Sequence, residues 1–266
     1  FSAMNERDTS VDILRGLAIF TMIAANMAPY NFLEPHSFAF RIYGSMAAPM
    51  FIFLAGMMVS YTATIKAHKF IYYLKRAGAT ILFAALIDTF IWHIFPFITY
   101  DVLYIIGLGM PLIFFFIKLP RPAQIILILI IFSITPFLQY YLGYVESPSE
   151  VSLSSENGAI SFRQTIDAVK EISVGRQFFL EGWFPFFPWI GVSLLGAFVG
   201  SFKFKTAPEI FNKNVLMSGA AMFAVGVMMW LYFMPNVNTN DSFVAEPKVM
   251  ESFWKTLLTR EGYSEL

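Results

Sequence analysis

Residues 123–144 read AQIILILIIFSITPFLQYYLGY, a stretch without a single acidic or basic residue. A helix needs about 20 predominantly apolar residues to cross the hydrocarbon core of a bilayer. Because the run does not alternate between apolar and polar residues, it does not suit a membrane β-strand, and a helix is the other structure that satisfies its own backbone in lipid. The stretch therefore predicts a membrane-spanning helix.

The composition of the whole chain agrees with that helix. Hydrophobic residues make up 57% of the 266 residues and charged residues 14%, whereas a soluble domain is about half apolar and about a quarter charged. The first apolar run is followed by no A-x-A-like cleavage site, so we expect it to be retained as a span. We predict an all-α, polytopic helical membrane protein with about seven transmembrane helices, forming part of a larger bundle. The predicted spans are 11–30, 44–63, 70–95, 99–117, 123–144, 184–202 and 215–234.

Charge and residue types exclude several function classes. The net charge is zero, so the chain lacks the basic surface that a nucleic-acid partner requires. It contains no cysteine, which removes disulfides, thiolate metal sites and cysteine nucleophiles together. Three histidines remain, namely His36, His68 and His93. We expect no metal.

Lysine and arginine predict the orientation, because short cytoplasmic loops carry the excess of positive charge. Basic residues recur in alternate connections, whereas the other short loops hold only Arg41. The amino terminus is therefore predicted to be cytoplasmic, in what resembles a bacterial inner membrane protein. The bundle would cover 1–234, with an extracytoplasmic cap or a disordered loop at 145–183, and a polar tail at 235–266 would lead to a missing span. The basic residues are Lys66, Lys69, Lys75, Arg76, Lys118, Arg121, Lys203, Lys205 and Lys213.

Three polar residues share one face of the first predicted span. Asp12, Arg15 and Asn26 fall on one stripe at about 100° per residue. An ionisable side chain in lipid is costly, so the stripe indicates a functional site. The alternative is an ion pair between Asp12 and Arg15 near the membrane surface, with Asn26 joining helices.

His36, Asp88 and one aromatic group each allow two interpretations. His36, in the loop after the first span, is either solvated or a base suited to proton transfer near neutral pH. Asp88 either lines the bundle or pairs with a neighbouring helix. An aromatic group forms either an interfacial belt or a platform that stacks on substrate. Its members are Trp183, Phe184, Phe186, Phe187 and Trp189.

Four motifs, in order along the chain, carry a resemblance to a known family. They are SVDILRGLA at 10–18, APMFIFLAG at 48–56, DVLYIIGL at 101–108 and FPWIG at 187–191. The ordered set resembles the transmembrane acyltransferase superfamily, in its heparan-α-glucosaminide N-acetyltransferase-like branch. Members of that family generally have more spans than this chain shows. Tyr104 stands where relatives frequently have glutamine, so the resemblance gives no support for a polar role there.

The resemblance implies acetyl transfer from cytoplasmic acetyl-CoA to a sugar hydroxyl or amine on the far side of the membrane. His36 is carried over as the base and Asn26 as its partner. Asp12 and Arg15 match the opening motif and are assigned to contact with acetyl-CoA or to electrostatics within the bundle. The CoA phosphates would be attracted by Lys66, Lys69, Lys75 and Arg76, although positive-inside topology alone also explains these four residues.

Two other functions compete with acetyl transfer. A transporter or flippase for a polar or glycan-linked substrate also has kinked, polar spans, but it typically shows paired halves, and we find no convincing internal repeat. A non-catalytic scaffold would leave the stripe of Asp12, Arg15 and Asn26 unexplained. The expected partners are acetyl-CoA, a glycan or amino-sugar acceptor and the lipid bilayer. The sequence leaves a homodimer open.

Overall fold

A computed structural model describes residues 9–31, 43–44, 46–142 and 173–203, together with Lys213, Met217 and Gly219. Within these ranges the chain forms helices, turns and loops and no β-strand. The all-α prediction is therefore confirmed for this part of the chain. The helices are α1 (Thr9–Asn31), α2 (Ala47–Thr64), α3 (Phe70–Ile87), α4 (Val102–Phe116), α5 (Arg121–Leu142) and α6 (Phe186–Lys203).

Two π-helical turns interrupt this pattern. The first, Asp88–Trp92, continues α3 to its end, and the second, Gln177–Glu181, follows the helical turn Val174–Arg176. A π-helical turn widens the helix locally, and such turns occur frequently at functional sites. Both turns begin or end at a buried acidic residue, Asp88 and Glu181.

Three described helices are long and apolar enough to cross a membrane. They are Ala47–Thr64, Phe70–Trp92 and Arg121–Leu142. A fourth span results if Val174–Glu181 and Phe186–Phe202, which meet at an angle of 47°, are counted as one bent helix. Helix α4 is also apolar but has only 15 residues. The multi-span helical architecture is therefore confirmed, whereas the total of seven spans remains a prediction.

Two predicted regions fall largely outside the described residues. The span at 215–234 is described only at Met217 and Gly219, and the cap at 145–183 only from residue 173 onward. The polar tail at 235–266 lies outside the described ranges altogether.

The chain divides into two compact units, residues 1–50 with 206–266 and residues 51–205. In the second unit α3 and α4 lie side by side in opposite directions. Phe70, at the start of α3, contacts Phe115 at the end of α4, with ring centroids 5.0 Å apart. Asp88, after the end of α3, contacts Tyr104 in the first turn of α4. The core between these helices and α6 contains Ile52, Tyr73, Ala77, Ile105, Ile113, Ile190 and Leu194.

Helix α4 is capped by side chains at both ends. The Asp101 carboxylate accepts a hydrogen bond from the Val102 N–H at 2.5 Å at its start. At its end the amide of the buried Gln124 donates to the carbonyls of Phe116 and Leu119, at 3.2 and 2.9 Å. These contacts satisfy backbone groups that a helix terminus otherwise leaves without partners. Side-chain hydrogen bonds therefore define both ends of this short helix.

Glycines bring α2 and α6 into backbone contact. A Cβ atom on Gly56 would lie 1.9 Å from the Ser193 carbonyl oxygen, and one on Gly196 would lie 2.0 Å from the Phe53 carbonyl oxygen. Helices in membranes associate through small residues that allow this approach, because lipid tails provide no hydrophobic driving force between them. We refer to the contact of Phe53, Gly56, Ser193 and Gly196 as the glycine seam.

Candidate functional site

The polar stripe lies on α1 with local contacts. The Arg15 guanidinium lies 3.5 Å from the Asp12 carboxylate, and the two side chains are 45% and 27% exposed. The exposed Asn26 amide donates to the Met22 carbonyl one turn earlier, at 3.0 Å. The ion pair between Asp12 and Arg15, which was the alternative to a functional stripe, is therefore present. His36 lies outside the described residues, so the roles assigned to His36 and Asn26 remain predictions.

The basic residues assigned to CoA are all exposed. Lys66 follows α2, Lys69 precedes α3, and Lys75 and Arg76 lie in the second turn of α3. The Arg76 guanidinium donates to the Tyr72 hydroxyl at 3.2 Å, and the His68 ring stacks on Tyr72 with centroids 4.1 Å apart. The contact with Tyr72 orients Arg76 without neutralising its charge.

The two ends of the second unit differ in the charge of their described side chains. The sequence has no acidic residue in 51–87 or in 102–142. In the described part of the chain, the end where α3 begins and α4 ends therefore carries basic and no acidic side chains, and there the Lys118 ammonium lies 4.0 Å from the Phe114 ring centroid. Arg121 at the same end lies over the Phe202 ring and donates to the Ser201 hydroxyl. The acidic residues Asp88 and Asp101 lie at the opposite end.

A buried polar pair lies at that opposite end. The Tyr104 hydroxyl donates to the Asp88 carboxylate at 2.6 Å, and the two side chains are 2% and 1% exposed. The same hydroxyl accepts the Phe97 N–H at 3.4 Å. Asp88 thus pairs with a neighbouring helix, one of the two interpretations left open for it. The resemblance gave no support for a polar role at Tyr104, and the structure shows its hydroxyl as the partner of Asp88.

A tight connection between α3 and α4 surrounds this pair. His93, Phe97 and Tyr100 have φ values of 53°, 64° and 49°, in the left-handed region that residues other than glycine rarely adopt. The carbonyls of Thr99 and Tyr100 accept the N–H groups of Trp183 and Phe184, at 2.8 and 2.9 Å. Strained backbone of this kind persists only where surrounding contacts hold it. Here the contacts come from Tyr104 and from the segment before α6, residues 174–185.

That segment contains an ion pair that sequence reasoning missed. The Arg176 Nε atom lies 2.8 Å from the Glu181 carboxylate, an ionic contact without hydrogen-bond geometry. Glu181 is buried, whereas Arg176 is 42% exposed and also donates to the Leu142 carbonyl at 3.5 Å. The signal in the sequence was the isolated Glu181 among aromatic residues, but nothing local identified its partner.

The aromatic group after this segment is mostly packed. Phe184, Phe186, Phe187 and Trp189 lie against the core, whereas Trp183 is 37% exposed. A platform for a sugar requires exposed ring faces, and among these five residues Trp183 offers one. The belt and the platform both remain predictions.

Metal ligation has no support in the described ranges. No three His, Asp or Glu side chains there come together as a metal site. The expected absence of a metal remains a prediction.

Apolar helices of membrane-spanning length, and ionisable residues gathered at the two ends of one unit, define a helical membrane protein. The model of one protein family, heparan-alpha-glucosaminide N-acetyltransferase, catalytic, matches residues 7–236. The chain belongs to this family, as the four motifs indicated, and membership supports membrane acetyltransferase activity in general. Searches of curated proteins and of solved structures gave no match.

Proposed function

We propose that this protein transfers an acetyl group from cytoplasmic acetyl-CoA to a sugar hydroxyl or amine on the other side of the membrane. The observation that carries the proposal is the match of the catalytic family model over residues 7–236. That range includes every residue assigned to catalysis or to acetyl-CoA. The amino-sugar acceptor suggested by the family name makes transfer to nitrogen the first reaction to test.

The proposed chemistry needs one base at the acceptor. The His36 imidazole takes a proton from the acceptor hydroxyl or amine as the acceptor oxygen or nitrogen forms a bond to the acetyl carbonyl carbon. The carbon–sulfur bond then breaks, and the CoA thiolate takes up one proton, so protons balance over the reaction. Asn26 orients the imidazole or holds the acetyl carbonyl, where negative charge develops. A covalent acetyl-histidine intermediate is a second route with the same residues.

Acetyl-CoA would be held by charge on the cytoplasmic side. Lys66, Lys69, Lys75 and Arg76 are exposed, and no acidic residue lies near them in sequence, which suits attraction of the CoA phosphates. Asp12 and Arg15 are proposed to contact the same donor or to stabilise the bundle around it.

The rest of the architecture is proposed from the sequence. We place seven spans with a cytoplasmic amino terminus in a bacterial inner membrane, with the bundle over 1–234, the cap at 145–183 and the tail at 235–266. A homodimer is compatible with this arrangement.

The base is tested with radiolabelled acetyl-CoA and purified protein. We expect glucosamine or a glucosamine-containing glycan to gain label, and His36→Ala to reduce kcat at least about 100-fold, because a positioned base contributes about 10²–10⁴-fold. His93→Asn is the matched control: His93 is exposed at φ 53°, a conformation that asparagine tolerates. Equal activity of His36→Ala and wild type would exclude His36 as the base.

The donor site is tested by comparing acetyl-CoA with acetyl-dephospho-CoA. Lys66 and Lys69 are replaced together by alanine. An exposed ionic contact contributes ~1 kcal/mol, so each contact that is lost should raise the KM for acetyl-CoA about five-fold. If these lysines bind the 3′-phosphate, the variant should also lose the preference for acetyl-CoA over the dephospho form. Lys213→Ala, at another exposed lysine, is the control. An unchanged KM would leave Lys66 and Lys69 with a topological role alone.

A further inference from the structure

Asp88 is an acid in a setting that disfavours charge. It lies in the candidate span Phe70–Trp92 and is 1% exposed. Among the described residues no Lys, Arg or His pairs with it, and its hydrogen-bond partner is the Tyr104 hydroxyl at 2.6 Å. An ionised carboxylate at membrane depth without a cation costs several kcal/mol, and a proton removes that cost.

A second carboxylate nearby adds repulsion. Asp101, at the start of α4, is close enough to Asp88 for their like charges to repel. Among the described residues, the other titratable groups at this end are Tyr104, Tyr100, the exposed His93 and the Arg176–Glu181 pair, which lies in the segment bonded to the Thr99 and Tyr100 carbonyls. A like charge nearby disfavours the charged form of a carboxylate, so ionisation of Asp101 opposes ionisation of Asp88.

The surroundings decide which carboxylate is charged. Asp101 accepts the Val102 N–H at 2.5 Å and lies at the amino terminus of α4, where the helix dipole favours a negative charge. Asp88 has neither a backbone N–H partner among its hydrogen bonds nor a helix amino terminus. Asp101 therefore has more support for a negative charge than Asp88 has.

We propose that Asp88 is a proton-binding site, neutral at pH 7, whose carbonyl oxygen Oδ2 accepts the hydrogen bond from Tyr104 while Asp101 carries the charge of the pair. The ligand is a single proton. The site does not depend on the acetyl transfer proposed above.

The proposed proton site contacts the connection between α3 and α4. The Tyr104 hydroxyl joins the Asp88 carboxyl to the Phe97 N–H, so one phenol contacts both the acid and the strained backbone. Loss of the proton places a buried charge next to this connection, in which three residues are held at positive φ.

Infrared difference spectra between wild type and each variant, measured on the purified full chain in lipid nanodiscs, test the proposal. At pH 7 the wild-type spectrum should contain the C=O stretching band of a protonated carboxyl group, and Asp88→Asn should remove it. Tyr104→Phe should keep the band and move it to higher frequency, because the carbonyl loses a hydrogen bond. Tyr100→Phe is the matched control, since Tyr100 contacts the Tyr104 ring edge-on with centroids 5.7 Å apart, and it should leave the band in place.

The variants distinguish a proton on Asp88 from a proton on Asp101. Asp101→Asn should retain the band; a band that disappears in this variant and persists in Asp88→Asn would place the proton on Asp101 and overturn the proposal. No protonated-carboxyl band at pH 7 would overturn it as well. If Asp88→Asn does not fold, the Tyr104→Phe shift decides, because a band that does not move belongs to another carboxyl group. Activity enters none of these measurements, so failure of the acetyl-transfer proposal leaves them valid.

Discussion

Tyr104 shows how one hydroxyl can organise the end of a helix pair. It donates to Asp88 and accepts from the Phe97 backbone, so its removal leaves a buried acid and a backbone N–H without their partner. An unsatisfied buried polar group costs more than a hydrogen bond contributes when it is made. The phenol ring itself packs in the core and would remain in a phenylalanine variant.

Tyr104→Phe should therefore lower the free energy of unfolding by about 2 kcal/mol. The measurement is thermal unfolding of the purified protein in detergent. Tyr100→Phe is the control, because it removes a hydroxyl from a ring that touches Tyr104 without bonding Asp88. Equal losses in the two variants would mean that ring packing, and not the hydroxyl, holds this end together.

The Arg176–Glu181 pair gives a second prediction at the same scale. Arg176→Met should destabilise the protein by about 2 kcal/mol, because it leaves the buried Glu181 charge without a cation. Adding Glu181→Gln to this variant should restore part of the melting temperature. A double variant less stable than Arg176→Met alone would contradict the explanation by charge.

Among the elements, α2 and α6 depend most on single residues. In the glycine seam the two backbones approach too closely for any side chain at Gly56 or Gly196. Gly78 on α3, by contrast, is exposed, and a Cβ there meets nothing within 4 Å. The same substitution therefore has opposite effects at the two kinds of site.

Gly56→Ala should destabilise the protein by about 3 kcal/mol through overpacking, and Gly78→Ala should stabilise it by about 1 kcal/mol through helix propensity. Thermal unfolding of both variants beside wild type measures the difference. Gly56→Ala with wild-type stability would show that α2 and α6 separate without cost, and the seam would then not hold them.

At the scale of the whole molecule, the described basic and acidic residues predict an orientation in the membrane. Among the described residues of the unit 51–205, no acidic side chain lies where α3 begins and α4 ends, whereas Asp88 and Asp101 lie at the other end. Positive charge is retained on the cytoplasmic side of membrane proteins, so the basic end is predicted to face the cytoplasm. The Thr99 and Trp183 backbones, bonded at 2.8 Å, belong to the opposite end.

Single-cysteine labelling tests this orientation, because the chain contains no cysteine of its own. A membrane-impermeant thiol reagent should label Trp183→Cys in intact cells and Leu119→Cys only after permeabilisation. Both positions are exposed, at 37% and 41%. The reverse pattern would invert the topology and place the basic residues on the side without CoA.

Local properties of the sequence determined the helical membrane class, the positions of most described helices and the gathering of basic residues at alternate connections. Hydropathy and charge act residue by residue, so a run such as 123–144 predicts α5 without knowledge of its neighbours. The four motifs similarly identified the family over residues 7–236.

Only the tertiary structure decided which polar residues meet. Asp88 was conspicuous as an acid in an apolar run, but its partner Tyr104 lies 16 residues away, across a turn with positive φ values. Gly56 and Gly196 are farther apart still in the chain, and their contact depends on how two helices cross. Periodicity places a residue on a helix face, whereas the packing of that face against another helix determines which residue it contacts.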